Sequence, residues 1–102
     1  MYVHIFLFRW KPEATTADHA RAASEIEAFG GAVPGLLEVT VGSNLAANNG
    51  GYSFGGCLKF TNAAACEAYV SHPLHVGLLE WLLPLIDAVE LDLDTGKLER
   101  TL

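Results

Sequence analysis

The sequence predicts an α+β domain in the ferredoxin-like order β-α-β-β-α-β: a four-stranded antiparallel sheet with its helices on one face. Three observations lead there. Four segments alternate apolar side chains with a period of two. Segments of helical periodicity separate the first strand from the second and the third from the fourth, whereas only a polar, turn-rich loop separates the second from the third. The first strand is apolar on both faces, as expected of a central strand covered on both sides.

That strand is "YVHIFLFR", residues 2 to 9, with Tyr2, His4, Phe6 and Phe8 on one face and Val3, Ile5 and Leu7 on the other. Pro12 ends it. A helix follows near residues 16 to 29, with Thr15 or Thr16 as N-cap, an apolar stripe of Ala22, Ile26 and Phe29, and Gly30 and Gly31 as its stop. "GLLEVTVGS" is the second strand, with Leu37, Val39 and Val41 on one face, and "NLAANNGG" a mobile loop. "YSFGGCLKF" is the third strand, with Tyr52, Phe54, Leu58 and Phe60 on one face; Gly55 and Gly56 mark a bulge or a close approach. Asn62 caps the helix "AAACEAYVS", which breaks near His72 and Pro73. Proline suits the first turn of a helix, so "PLHVGLLEWLL" begins a second short one, closed by Pro84. "IDAVELDLD" is the last strand, with Val89, Leu91 and Leu93 on one face, and "TGKLERTL" is a short tail.

The 102 residues suffice for one domain, 1–102, and not for two. With 51% hydrophobic and 18% charged residues the composition is globular. A net charge of −6 with only six Lys and Arg argues against nucleic acid and anionic membranes as partners. No apolar run reaches the length of a membrane span, and the N-terminus lacks the basic region and cleavage site of a signal peptide. Cys57 and Cys66 are expected as free thiols, and the cytoplasm as the compartment. The Val3, Ile5 and Leu7 face is too apolar for water, so a second copy packed sheet to sheet, a homodimer, is expected to cover it.

Four segments carry a resemblance: "VHIFLFRWKPEAT", "PGLLEVTVGSN", "GGYSFGGCLKFTN" and "AYVSHPLHVGLLEWLLPLI". Over nearly the whole chain they resemble the stress-responsive A/B barrel (Dabb) family, and the "Y-x-x-H-P-x-H" segment and the first-strand histidine are the most specific parts. The resemblance implies a dimeric α+β barrel. The family includes plant stress proteins and olivetolic acid cyclase, which closes a linear polyketide by aldol chemistry without a cofactor. Carried over by position, its catalytic set implies His75, Tyr69 and His4 here, and no cofactor.

The residues themselves allow that chemistry. An imidazole accepts and returns a proton near neutral pH, and an enolate needs a donor for its oxygen. His75 is then the base, Tyr69 its partner or the oxyanion donor, and His4 a positioning residue, around a small-molecule ligand. On one straight helix Tyr69 and His75 would diverge by roughly 120°, so their meeting depends on the break at Pro73. The competing reading has them packing a helix junction in a non-enzymatic dimer or small-molecule binder. Phe6, His72 and Trp81 complete the candidate ligand contacts. His72 competes as a cap of the junction, and Trp81 as a core or dimer-interface residue. His19 reads as partly exposed. His72 and His75 are spaced to share a metal, but no carboxylate or cysteine stands at a compelling spacing, so no metal is expected.

Overall fold

A computed structural model describes residues 1–96; of the predicted tail, residues 97–102 lie outside the described residues. The chain runs β1 (Tyr2–Trp10), α1 (Thr16–Glu27), β2 (Leu36–Ser43), β3 (Phe54–Phe60), α2 (Ala63–Val70), α3 (Pro73–Leu82), a 3-10 turn (Leu83–Leu85) and β4 (Ile86–Asp94). The strands form one antiparallel sheet in the order β2-β3-β1-β4, so β1 is central. This is the ferredoxin-like fold. No helix among the described residues is long and apolar enough to cross a membrane.

Local chemistry sets the helix boundaries. Thr15 and Asp18 form a reciprocal capping box at the start of α1: Asp18 N–H donates to Thr15 Oγ1 at 3.1 Å and Thr15 N–H to Asp18 Oδ2 at 2.8 Å. Asn62 Oδ1 accepts from Ala65 N–H at 2.9 Å and caps α2. α3 begins with Pro73, whose missing N–H costs nothing in a first turn.

The core lies between the sheet and the helices. Phe6, Phe8, Leu58 and Phe60 of the sheet meet Ile26 of α1, Phe29 just beyond it, and Leu78 and Leu82 of α3, all buried. Each such side chain contributes about 1.5–3 kcal/mol by leaving water. The opposite face of the sheet is uncovered in the single chain. Val3, Ile5 and Leu7 there pair with Leu93, Leu91 and Val89, which are 47%, 51% and 46% exposed. Cys57 lies on this face and Cys66 in the core, and both are free.

Three local expectations are corrected. A bulge between Leu36 and Glu38 shifts β2 by one residue, so Leu36 packs on the core with Val39 and Val41 while Leu37 is 58% exposed. Tyr52 lies before β3 rather than in it: Arg9 donates to its hydroxyl at 2.9 Å and stacks on its ring. The loop expected to be mobile is tied, with Asn44 donating through its side chain to Tyr52 O at 2.8 Å and Asn49 Oδ1 accepting from Gly51 N–H.

Gly55 and Gly56 sit in unbroken register, so they are a close approach and not a bulge. A Cβ on Gly56 would stand 2.4 Å from the Phe6 ring and 2.7 Å from the Thr40 carbonyl. Gly56→Ala is therefore expected to destabilise the fold by about 1–3 kcal/mol, the range for overpacking. Gly77, exposed within α3 and with nothing near its would-be Cβ, gives the opposite sign: Gly77→Ala should stabilise by roughly 0.5–1 kcal/mol. Urea unfolding of the two variants checks both signs.

Candidate active site

The site begins at the joint between α2 and α3. His72 ends the connection, and its Nδ1 accepts from Leu74 N–H at 3.1 Å, capping α3. The new helix then starts in a fresh direction, with His75 in its first turn. The His75 Nδ1 lies 2.9 Å from the Val70 carbonyl, one of the end carbonyls that α2 leaves unpaired. A carbonyl only accepts, so Nδ1 carries the proton. In the neutral ring Nε2 is then the free acceptor. Tyr69, one turn back on the other side of the joint, packs against His75 with ring centroids 4.3 Å apart. The break brings together two side chains that a straight helix would separate.

His4 approaches from the sheet. It stands directly across from Asp92 on β4, and its Nδ1 meets Asp92 Oδ1 at 2.5 Å. The other carboxylate oxygen accepts from the Tyr2 hydroxyl at 2.8 Å. The His4 ring lies 6.2 Å from that of Tyr69. His4, Phe6, Tyr69 and His75 line one cavity of about 50 Å³, with Leu78 behind them and Glu90 at the side. That space holds a water or the reactive end of a larger molecule. A wider hollow of about 430 Å³ lies at the other end of β1, beside Trp10, His19, Ser43 and Ser53. There His19 stacks on Trp10 at 4.1 Å with its Nε2 buried. That hollow lacks the convergent His, Tyr and carboxylate groups of the smaller one.

Two candidate ligand contacts are placed elsewhere. His72 is spent on the helix cap and does not line the cavity. Trp81 is turned to the seam between α1 and α3, where its Nε1 donates to Glu25 Oε1 at 3.1 Å and Arg21 stacks on its ring. Conversely, Asp92 and Glu90 escaped the sequence reading. Their signal was the alternation of "ELDLD": with Val89, Leu91 and Leu93 on the outer face, the acidic residues must face the helices.

The groups differ in their protons. Burial pushes the Tyr69 hydroxyl well above the ordinary phenol range, so it stays protonated and can donate. Tyr2 is pushed up to about 12, first by its bond to Asp92. Desolvation raises the Asp92 carboxyl, but the hydrogen bonds from His4 and Tyr2 outweigh it and hold the group below its usual range.

The sequence matches the family described as the Stress responsive A/B Barrel Domain over residues 3–94. No curated protein sequence matches it. Among solved structures it is similar to a dimeric ferredoxin-like protein of unknown function from Thermobifida fusca, at 26% identity and TM-score 0.80 over 90% of this chain and 88% of that one. A dimeric ferredoxin-like protein of unknown function from Jannaschia sp. shares 23% identity at TM-score 0.81, over 92% and 98% of the two chains. The hydroxynitrile lyase of Passiflora edulis has the same fold at 14% identity and TM-score 0.76, over 92% and 94%.

A carboxyl with a lower pKa in the folded than in the unfolded chain adds stability above the unfolded value and loses it as the pH falls through the folded one. For Asp92 the loss therefore begins below 3.8. The group is 41% exposed, so solvent screens it, and the contribution is about 0.2–1 kcal/mol. Thermal melts against pH should show wild type losing more stability below that value than Asp92→Asn; parallel curves would remove the role assigned to this carboxylate.

Proposed function

The chain belongs to the Stress responsive A/B Barrel Domain family, and from that membership and the His75–Tyr69–His4 cavity we propose a cofactor-independent acid–base enzyme. Its substrate is a small enolisable carbonyl compound, of the polyketide-like kind. The observation that carries the reading is the 2.9 Å contact of His75 Nδ1 with the Val70 carbonyl: an acceptor there commits Nδ1–H to the joint and leaves Nε2 as the nitrogen with a free lone pair on a residue that lines the cavity.

The proposed steps follow from that arrangement. His75 Nε2 takes a proton from the carbon beside a carbonyl; the C–H electron pair moves into the carbonyl and forms an enolate. The Tyr69 hydroxyl donates a hydrogen bond to the enolate oxygen. His4, oriented by Asp92, positions the carbonyl. The enolate carbon then attacks a second carbonyl of the same molecule, and the proton on His75 passes to the new alkoxide. The Passiflora edulis protein is one enzyme on this fold, which supports such a use of the scaffold. A second reading is a non-enzymatic small-molecule binder, favoured by the modest size of the cavity, about 50 Å³.

A panel of β-dicarbonyl compounds in D₂O, followed by NMR, separates the two. Enzyme-dependent exchange at the acidic carbon is expected from wild type. His75→Ala should lower it by about 10²–10⁴-fold, the usual weight of a general base, and Tyr69→Phe should lower it with the fold intact. Exchange undiminished in His75→Ala would leave only the binder.

We also propose that the functional unit is a homodimer joined through the outer sheet face. Val3, Ile5 and Leu7 with Val89, Leu91 and Leu93 make a contiguous apolar strip of the kind that marks an interface, and both bacterial proteins of this fold are described as dimeric. Leu91→Glu, at the middle of the strip, should yield a folded monomer in sedimentation velocity where wild type is a dimer. A dimer that survives this change is joined elsewhere.

A further inference from the structure

The His4–Asp92 pair has a third neighbour. Cys66 on α2 lies so that its Sγ, a ring nitrogen of His4 and a carboxylate oxygen of Asp92 all fall within 4.8 Å of one another. The three residues are remote in sequence and come from β1, α2 and β4. We propose that His4, Cys66 and Asp92 bind a divalent transition-metal ion of the Zn²⁺ class, with one coordination position left open.

The donor chemistry selects the ion. Imidazole nitrogen, thiolate sulfur and one carboxylate oxygen suit Zn²⁺ and its neighbours, whereas Mg²⁺ and Ca²⁺ prefer oxygen sets. Bond lengths of about 2.0–2.3 Å in a tetrahedral site put the ligand atoms roughly 3.2–3.6 Å apart. His4 Nδ1 and Asp92 Oδ1, now 2.5 Å apart, would open slightly. Cys66 Sγ, within 4.8 Å of both partners, would close to the tetrahedral spacing by side-chain rotation. The carboxylate is already oriented from behind by the Tyr2 hydroxyl on its other oxygen, as a metal-ligating carboxylate usually is.

The proton balance is simple. On binding, the Cys66 S–H bond breaks, its proton leaves to solvent and a metal–sulfur bond forms. His4 changes tautomer: the Nδ1–H bond that donates to Asp92 breaks and its proton leaves to solvent, Nε2 takes a proton from solvent, and the freed Nδ1 lone pair binds the metal. No electron changes hands. Without an ion the thiol is pushed up to about 11 by burial and by Asp92 and Glu90, so it is protonated and unreactive at neutral pH. Those same carboxylates attract a cation.

The test is a Co²⁺ titration of tag-free protein, because a Co²⁺–thiolate bond gives a near-ultraviolet charge-transfer band and a tetrahedral ion an intense visible one. Wild type is expected to saturate at one ion per chain with both bands. Cys66→Ala should abolish the charge-transfer band and Cys57→Ala should keep it; circular dichroism confirms each fold, with Cys66→Ser as the substitute if the alanine variant fails. Asp92→Asn should weaken binding at least ten-fold. Tyr2→Phe should weaken it about ten-fold, as loss of an orienting hydrogen bond does. No thiolate band in wild type, or one that survives Cys66→Ala, overturns the site. A bound ion takes the His4–Asp92 pair that positions the carbonyl in the metal-free acid–base reading, so the loaded state is a second state of the site and not a cofactor of that reaction. His75→Ala should bind Co²⁺ as wild type does while losing exchange, so failure of either proposal is read separately.

Discussion

The hydrogen bond from His75 Nδ1–H to the Val70 carbonyl is the constraint on which the rest of the site depends. It does three things at once. It satisfies a carbonyl that the end of α2 would otherwise leave bare, and so holds α2 and α3 at their angle. It fixes which nitrogen of the ring carries the proton. And it swings the imidazole against Tyr69, at 4.3 Å, on the wall of the cavity. A helix continued straight through Pro73 would have none of these features. The structural and the chemical readings of the "SHPLH" segment are therefore not rivals: one nitrogen of His75 serves the joint and the other is left for a ligand.

The sheet supplies the other wall, and β1 is the strand that divides the molecule's work. Its inner side chains are Tyr2, His4, Phe6 and Phe8, and its outer ones Val3, Ile5 and Leu7. A shift of one residue in its pairing would exchange these sets. Two features hold the register. The Phe6 ring lies against the bare face of Gly56, which no larger residue could share. His4 pairs across the strands with Asp92, whose carboxylate is also fastened to Tyr2. The same strand thus places a histidine in the cavity and an apolar strip on the opposite face.

Much of this was legible in sequence because it is written in local chemistry. Strand alternation, the Thr15 and Asn62 caps and Pro73 at the start of α3 are short-range signals. What escaped depends on longer-range facts. Leu37 lost its inner position to a bulge, which a period-two pattern does not reveal. Trp81 has the aromatic character of a pocket residue, but the rotation of α3 about its axis turns it toward Glu25 and Arg21. Asp92 and Glu90 were not singled out in the sequence, because only the pairing of β4 with β1 sets them beside His4 and the cavity. The grouping of His4, Cys66 and Asp92 is likewise a product of topology, since no two of them are near in sequence.

The two imidazoles of the cavity are held by different partners, and this divides their tasks. His4 is anchored to a carboxylate that is itself held from its other side by Tyr2, so a cation developing on the ring would meet a fixed negative charge. His75 is anchored to a neutral carbonyl, so its orientation is set without a counter-charge in contact. Tyr69, its hydroxyl kept protonated by burial, lines the same space and is the donor in the proposed reaction. With about 50 Å³ available, the proposed reaction would place the reacting carbonyl and its neighbouring carbon among these three side chains, with the rest of the substrate extending past Glu90 toward solvent. On that proposal the inner site selects a functional group, and the rim, more than the cavity, selects the molecule that carries it.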